Sequence, residues 1–249
     1  MSMTTAMNNF EDIVNDAYLS YFWTDWSDPE KLNQVWLTSK IGDNSFQNFT
    51  GVQKYHNATA ATEDLTPLAA LPVTFVSPQM GVVAPWFRRL SNYALGLSGF
   101  NGAEIQSEYF VPWSVATKAI QALKPLAKEM NALSYVSSFR IIASDDMWMS
   151  TANGDNINGE PRSVAIHWSW IPNLSAVMEL LPKIEAALAP YNPVPHWGKL
   201  FTMDPCSTFL KRYKKLADFV ALDKKLDPNG KFHNDFLDNN VFKKCTSCG

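Results

Sequence analysis

A chain of 249 residues with 46% apolar and 13% aromatic side chains buries a substantial core and does not belong among disordered proteins. Its 21 basic and 24 acidic residues leave a formal charge of −3, and no dense Lys/Arg run appears. That balance excludes the electrostatic footprint of a nucleic-acid or anionic-membrane binder and points to a neutral small-molecule partner. No apolar run approaches the roughly 20 residues of a membrane span, and the opening MSMTTAMNNFEDIV lacks the basic-then-apolar order of a secretory leader. The expectation is a cytoplasmic protein without a transmembrane segment. Cys206, Cys245 and Cys248 are too few for a disulfide framework. The lone Cys245-Thr246-Ser247-Cys248 has no second ligand pair nearby, so 243–249 reads as a disordered tail.

Residues 1–16 begin with a short helix, and 18–26 and 34–38 follow as strand-like runs. Residues 42–104 are rich in Gly, Pro, Asn and Thr and read as a long excursion of loops. From Glu104 the pattern turns regular, with Ile105, Ser107, Tyr109 and Val111 alternating against Gln106, Glu108 and Phe110 as in a strand. Ser114 is placed as the N-cap of a helix carrying Ala116, Ala119, Ile120, Leu123, Ala127 and Met130 at helical spacing, kinked at Pro125. Strands over 135–143 and 163–170 flank a polar turn at Asn153-Gly154-Asp155-Asn156, and a helix covers 174–189. The turn Pro190-Tyr191-Asn192-Pro193 leads through His196 to Phe201 into a helical tail, with Asp204-Pro205 as cap and first helical residue and a turn at 227–230. This order predicts an α+β fold, a mainly antiparallel sheet flanked by helices on one face. No GxGxxG and no Walker-type loop is present, so a nucleotide cofactor would be held mostly by another domain.

Strand alternation sorts the polar residues. Val164, Ile166, Trp168 and Trp170 share one face, leaving His167 and Ser169 on the other. Ser138 and Arg140 share a face in the preceding strand, and Gln106 and Glu108 do so in the first. If these faces coincide, six polar side chains form a wall suited to a polyol, whose hydroxyls need donors and acceptors at fixed positions. The bland reading stands beside it: Arg140 is half of a salt bridge with Glu108 or Asp145, and His167 is an ordinary structural histidine. His196 and Lys199 leave a proline-restricted turn, and Gly198 allows a close approach. His56 and His233 receive no role.

The block from Tyr191 through Pro193, Val194, Pro195, His196, Trp197, Gly198, Lys199 and Leu200 to Met203 resembles the C-terminal signature of the alditol (xylitol) oxidases, relatives of the aldonolactone oxidases in the vanillyl-alcohol-oxidase flavoprotein superfamily. Phe22-Trp23-Thr24-Asp25-Trp26, Gln34-Val35-Trp36-Leu37, Gln106 to Pro112, Asp145-Asp146-Met147-Trp148 and Leu226 to Phe232 are similar to that family in the same order. The resemblance implies FAD-dependent oxidation of a CH–OH group of an alditol or aldonolactone, with dioxygen as acceptor and hydrogen peroxide as product. It implies Arg140, Lys199 and His196 as catalytic, with Lys199 and His196 near the flavin ring. It further implies that His167, Ser169, Ser138, Gln106 and Glu108 bind substrate, with no metal. Ser169 stands where a Thr is expected. Ser138 stands where the family has the carboxylate of Glu-x-Arg, which removes an acceptor able to orient Arg140 or to engage substrate.

The resemblance also implies a flavin-binding domain, in cis or in trans, that this sequence does not contain. The expected organisation is a linker helix over 1–16, a substrate-binding cap domain over 17–203, a helical return over 204–242 and the tail over 243–249. A non-catalytic polyol- or sugar-binding relic of the same fold is the alternative.

Overall fold

Alternation in the sequence translates directly into strands. β1 (Leu19–Thr24), β2 (Gln34–Thr38), β5 (Ile105–Pro112), β6 (Ser134–Ala143), β7 (Arg162–Trp170) and the two-residue β8 (Val194–Pro195) form one sheet in the order β2-β1-β6-β7-β5-β8, and every pairing is antiparallel. A separate hairpin joins β3 (Lys54–Tyr55) and β4 (Ala58–Thr59). The computed structural model describes residues 1–42, 54–68, 71–90, 92–93 and 104–242; the expected tail over 243–249 and its CxxC lie outside the described residues.

One face of the sheet is apolar. Phe22, Tyr109, Phe139, Ile166, Trp168 and Trp170 are buried there beneath α1 (Met3–Asn8), α2 (Phe10–Asn15), α3 (Ala116–Ala122), α4 (Ala127–Leu133) and α5 (Leu174–Leu188). Trp168 and Trp170, two residues apart on one strand, stack with centroids 5.7 Å apart and planes 4° from parallel. The serines on this face answer buried indoles: Trp170 Nε1 donates to Ser107 Oγ at 2.8 Å and Trp26 Nε1 to Ser137 Oγ at 2.9 Å. Helix α5 buries Val177, Leu180, Leu181, Ile184 and Leu188, spaced three and four apart, and its Asn173 caps the Ala176 N–H. It also buries Glu185, which accepts from Tyr109 Oη at 2.7 Å, from the Thr202 N–H at 2.6 Å and from the Thr202 hydroxyl. Glu185 thereby pins the chain three residues past Lys199.

The sequence predicts helices on one face, but the structure places helices on both. Phe110, Ala165 and Ile142 form an apolar end on the opposite face, and α6 (Pro205–Arg212) and α7 (Leu216–Leu226) cover it with Phe209, Tyr213, Leu216 and Val220. Trp23, Leu68 and Val136, with Tyr21 and Trp36, form a second apolar patch at the other end of that face, and the stretch between the two is polar. Residues 1–16 form two short helices that bury Met3, Ala6, Met7, Phe10, Ile13 and Val14 in the main core, where the sequence predicts one linking helix. Ser114 is not an N-cap: its N–H and hydroxyl both donate to Glu160, at 2.8 and 2.5 Å, and α3 starts after a 3₁₀ turn. Pro125 sits in a 3₁₀ turn that breaks the predicted kinked helix into α3 and α4. His233, between α7 and the short α8 (Asp235–Leu237), places its ring nitrogens 3.0 Å from Asp223 and 3.0 Å from Asp238, fastening the tail to α7.

Candidate active site

The three polar strand faces do coincide. Glu108 pairs with His167, and His167 with Ser138; Gln106 pairs with Ser169; Arg140 pairs with Ala165 in the same rank. Directly paired residues point to the same side of a sheet, so all six predicted side chains share one face. The row continues into β1, where Trp23 pairs with Ser138 and Tyr21 with Arg140.

Glu108 is the centre of the cluster. It is 3% exposed; Arg140 Nη2 donates to its Oε1 at 2.6 Å, and Lys199 Nζ binds its Oε2. Arg140 and Glu108 lie two strands apart, about 9–10 Å of backbone separation, so the guanidinium crosses β7, where its paired residue is the small Ala165. Of the two partners that the sequence allows, Arg140 pairs with Glu108, and it does so on the shared polar face. Burial alone would raise the Glu108 pKa, but the surrounding His167, Arg140 and Lys199 hold it well below the usual carboxylate range. Burial lowers the Lys199 pKa while Glu108 opposes that shift.

His167 Nδ1 lies 3.2 Å from Lys199 Nζ and 3.4 Å from Glu108 Oε2, and its Nε2 lies 3.2 Å from Ser169 Oγ. With Nδ1 accepting from the Lys199 ammonium the neutral ring carries its proton on Nε2, toward Ser169; with the proton on Nδ1 it faces the Glu108 carboxylate instead. Ser169 Oγ in turn donates to Glu104 Oε1 at 2.8 Å, and Gln106 Nε2 donates to the same oxygen. Burial first, then the Lys199 and Arg140 charges, push the His167 pKa down to about 4 against the pull of Glu108. A depressed folded-state pKa means that the unfolded chain binds the proton first. Stability is therefore expected to fall as pH drops from about 6.5, the unfolded value, to about 4. His233, raised by Asp223, works in the opposite sense and above that window. Urea midpoints measured at pH 7, 6, 5 and 4 should show this slope in the native chain and a flatter one in His167→Gln; equal slopes would contradict the assignment.

Lys199 arrives by a looped edge. The His196 N–H donates to Glu108 O at 2.9 Å and the Leu200 N–H to Gln106 O at 2.9 Å, so residues 197–199 bulge out between two successive contacts with β5. His196 Nδ1 accepts the Gly198 N–H at 3.0 Å, and a Cβ on Gly198 would meet that ring at 3.4 Å. The close approach predicted for Gly198 is therefore to its neighbour's imidazole. Trp197 anchors the bulge, donating to Met149 O at 3.0 Å and packing on Phe209 and Tyr213. The His196 ring stacks on Phe110, and among the described residues its hydrogen-bond partner is the Gly198 N–H and not a side chain of the Glu108 cluster.

Ser138 is 1% exposed beside two buried donors without partners, Trp23 Nε1 and Arg140 Nε. Both neighbour the position where a carboxylate is expected. Sequence reasoning missed Glu104, which strand parity extended two residues back from Gln106 would have found. It also missed the aromatic flank, where Tyr21 and Trp23 stack at 5.8 Å and Trp36 meets Trp23 edge-on at 5.7 Å. Alternation around Phe22 was its signal. Tyr93, whose phenol is raised by burial and by nearby Glu104, comes from the loop-rich excursion and had none. A cleft of about 750 Å³ opens beside the cluster, bordered by Glu104, Gln106, Gly198, Lys199, Phe236 and Asn240.

One sheet face is apolar and covered by α1–α5, and the other carries the Glu108 ion cluster between two apolar ends and beside an open cleft, within an α+β domain. Residues 98–240 match the ALO family, D-arabinono-1,4-lactone oxidase, and the chain belongs to that family. It is similar to the alditol oxidase of Streptomyces sp. (strain IKD472 / FERM P-14339), 33% identical over 229 residues that make up 92% of this chain and 52% of the relative. The chain thus spans about half the length of the relative it matches. Among the described residues no helix is long and apolar enough to cross a membrane.

Proposed function

We propose that this chain is the substrate-binding half of an FAD-dependent oxidase that converts a CH–OH group of an alditol or aldonolactone to a carbonyl, with dioxygen as acceptor and hydrogen peroxide as product. The observation that carries the reading is the buried Glu108 holding Arg140 and Lys199 on the sheet face that borders the cleft, with His167 and Ser169 in the same hydrogen-bonded group. Residues 17–203 form the substrate domain and 204–242 the return segment. The flavin-binding domain is supplied by another part of the protein or by another chain.

The residues present fit a flavin. Lys199, partly buried and bordering the open cleft, supplies the positive charge that an anionic reduced ring requires. FAD, when bound, supplies the two-electron acceptor. Lys199 and Arg140 orient and polarise the reacting hydroxyl, and His167 and Ser169 hold further hydroxyls. His196 supports the Lys199 loop beside the ring.

Assayed without a flavin-binding domain, the 249 residues are expected to carry no yellow cofactor and to release no peroxide. They should still bind ligand. Titrating xylitol or an aldono-1,4-lactone into the 249-residue protein should shift the imidazole resonances of His167 and leave His233, which faces Asp223 and Asp238, unchanged. No response from His167 to any member of either class would contradict the proposal. Binding that persists without flavin reduction in a complete complex would favour the non-catalytic relic, the reading that Ser138 supports.

A further inference from the structure

Lys199, His167 and Ser169, already placed at the substrate and the Glu108 cluster, also belong to a row of hydrogen-bonded groups that continues to Glu104 at the cleft. Lys199 Nζ reaches His167 Nδ1 at 3.2 Å, His167 Nε2 reaches Ser169 Oγ at 3.2 Å, and Ser169 Oγ donates to Glu104 Oε1 at 2.8 Å. Strand parity builds it: His167 and Ser169 are neighbours on one face of β7, Ser169 pairs with Gln106, and Glu104 precedes Gln106 by two residues. Glu104 and Lys199 both border the cleft.

We propose that Lys199, His167, Ser169 and Glu104 form a proton relay that carries the substrate's hydroxyl proton to solvent, with Glu104 as the exit residue. The proposal rests on the oxidase reading above. Each group in the row can both receive and release a proton, and with His167 as the Nε2–H tautomer every donor in it points toward Glu104. Of the Lys199 protons one meets Glu108 and one meets His167, which leaves the third position for the substrate oxygen. Arg140 cannot take part, because a guanidinium does not give up its proton. His196 stands outside the row: its Nδ1 accepts the Gly198 N–H and its ring stacks on Phe110.

The step balances. An ammonium has no lone pair, so Lys199 first gives its His167-facing proton to Nδ1 and, as the neutral amine, takes the substrate O–H proton as the carbinol C–H leaves with its electron pair to the flavin acceptor and the C=O bond forms. His167 releases its Nε2 proton to Ser169 Oγ, and Ser169 passes its own to Glu104. Substrate has then lost two electrons and two hydrogens, Lys199 keeps its charge, the imidazole has changed tautomer, and Glu104 holds the one extra proton.

The relay is tested first on the chain as it exists. With only four histidines, ¹⁵N imidazole spectra resolve each ring. The relay requires the Nε2–H tautomer of His167 at neutral pH. Ser169→Ala should shift the ring toward Nδ1–H, directed at Glu108, whereas Glu104→Gln, which still accepts from Ser169 but cannot take up its proton, should leave the tautomer unchanged. A wild-type His167 found as Nδ1–H, or as imidazolium, overturns the proposal. In a complex with a flavin domain, Glu104→Gln should slow substrate-dependent flavin reduction about a hundredfold and alter its solvent deuterium isotope effect, with substrate affinity unchanged; wild-type reduction rate and isotope effect in Glu104→Gln would also overturn it. If the wild-type complex reduces no flavin with any alditol or aldonolactone, the oxidase reading fails and the transfer step falls with it. The tautomer result distinguishes that failure from a broken row.

Discussion

Glu108→Gln will unfold more easily than the native chain, by about 3–5 kcal/mol, the usual consequence of removing one partner of a buried ion pair. Glutamine keeps the volume and one acceptor, so the loss reports charge and not a cavity. Glu108 is 3% exposed and serves two cations, with side-chain exposures of 29% for Arg140 and 16% for Lys199, so its removal leaves both partly buried without their carboxylate. The double variant Glu108→Gln with Lys199→Met should recover part of the loss, since one stranded charge is gone. Because the folded-state pKa of Glu108 is depressed, its contribution is present above the unfolded value of about 4.3 and is lost as pH falls through the folded value. Urea denaturation at pH 7 and pH 3 checks both points; a Gln variant as stable as wild type at pH 7 would remove Glu108 from the centre of the site.

Lys199→Met in a complete oxidase complex should lower the rate of flavin reduction by about 10²–10⁴-fold, the range of a lost proton-transfer group. Substrate affinity should fall far less, since Arg140, His167 and Ser169 remain. Lys199→Arg should not restore the rate: arginine keeps the charge beside Glu108, but its guanidinium is not deprotonated in proteins and cannot exchange a proton with His167. Rapid-mixing measurements of flavin absorbance over a range of substrate concentrations separate the two effects. A Lys199→Arg protein with wild-type rate would show that charge alone suffices.

Much of this arrangement was legible in residue order because strand geometry has a period of two. Val164, Ile166, Trp168 and Trp170 against His167 and Ser169 gave the sidedness of β7 directly, and the same parity in β5 and β6 predicted the common polar face. What parity does not give is which side chains meet. Arg140 chooses Glu108 over Asp145 only because β7 lies between β6 and β5 and Ala165 is small, facts of strand order that no local pattern contains. The family signature at His196-Trp197-Gly198-Lys199 suggested two active groups, yet the bulge gives them different surroundings: Lys199 joins the cluster, while His196 caps the turn and stacks on Phe110. The covering of Phe110 and Ala165 by α6 and α7 was missed because those two apolar residues were read with a polar face.

The most direct measurement of the central claim is anaerobic flavin reduction. The 249-residue chain, coexpressed with the part of the Streptomyces alditol oxidase that it does not match, is purified as a complex and mixed with xylitol, sorbitol or an aldono-1,4-lactone. The account predicts that at least one of these bleaches the flavin absorbance and that admitting air restores it with release of hydrogen peroxide. A complex that holds flavin and binds the polyol through the Glu108 face, yet shows no bleaching with any of them, would contradict it.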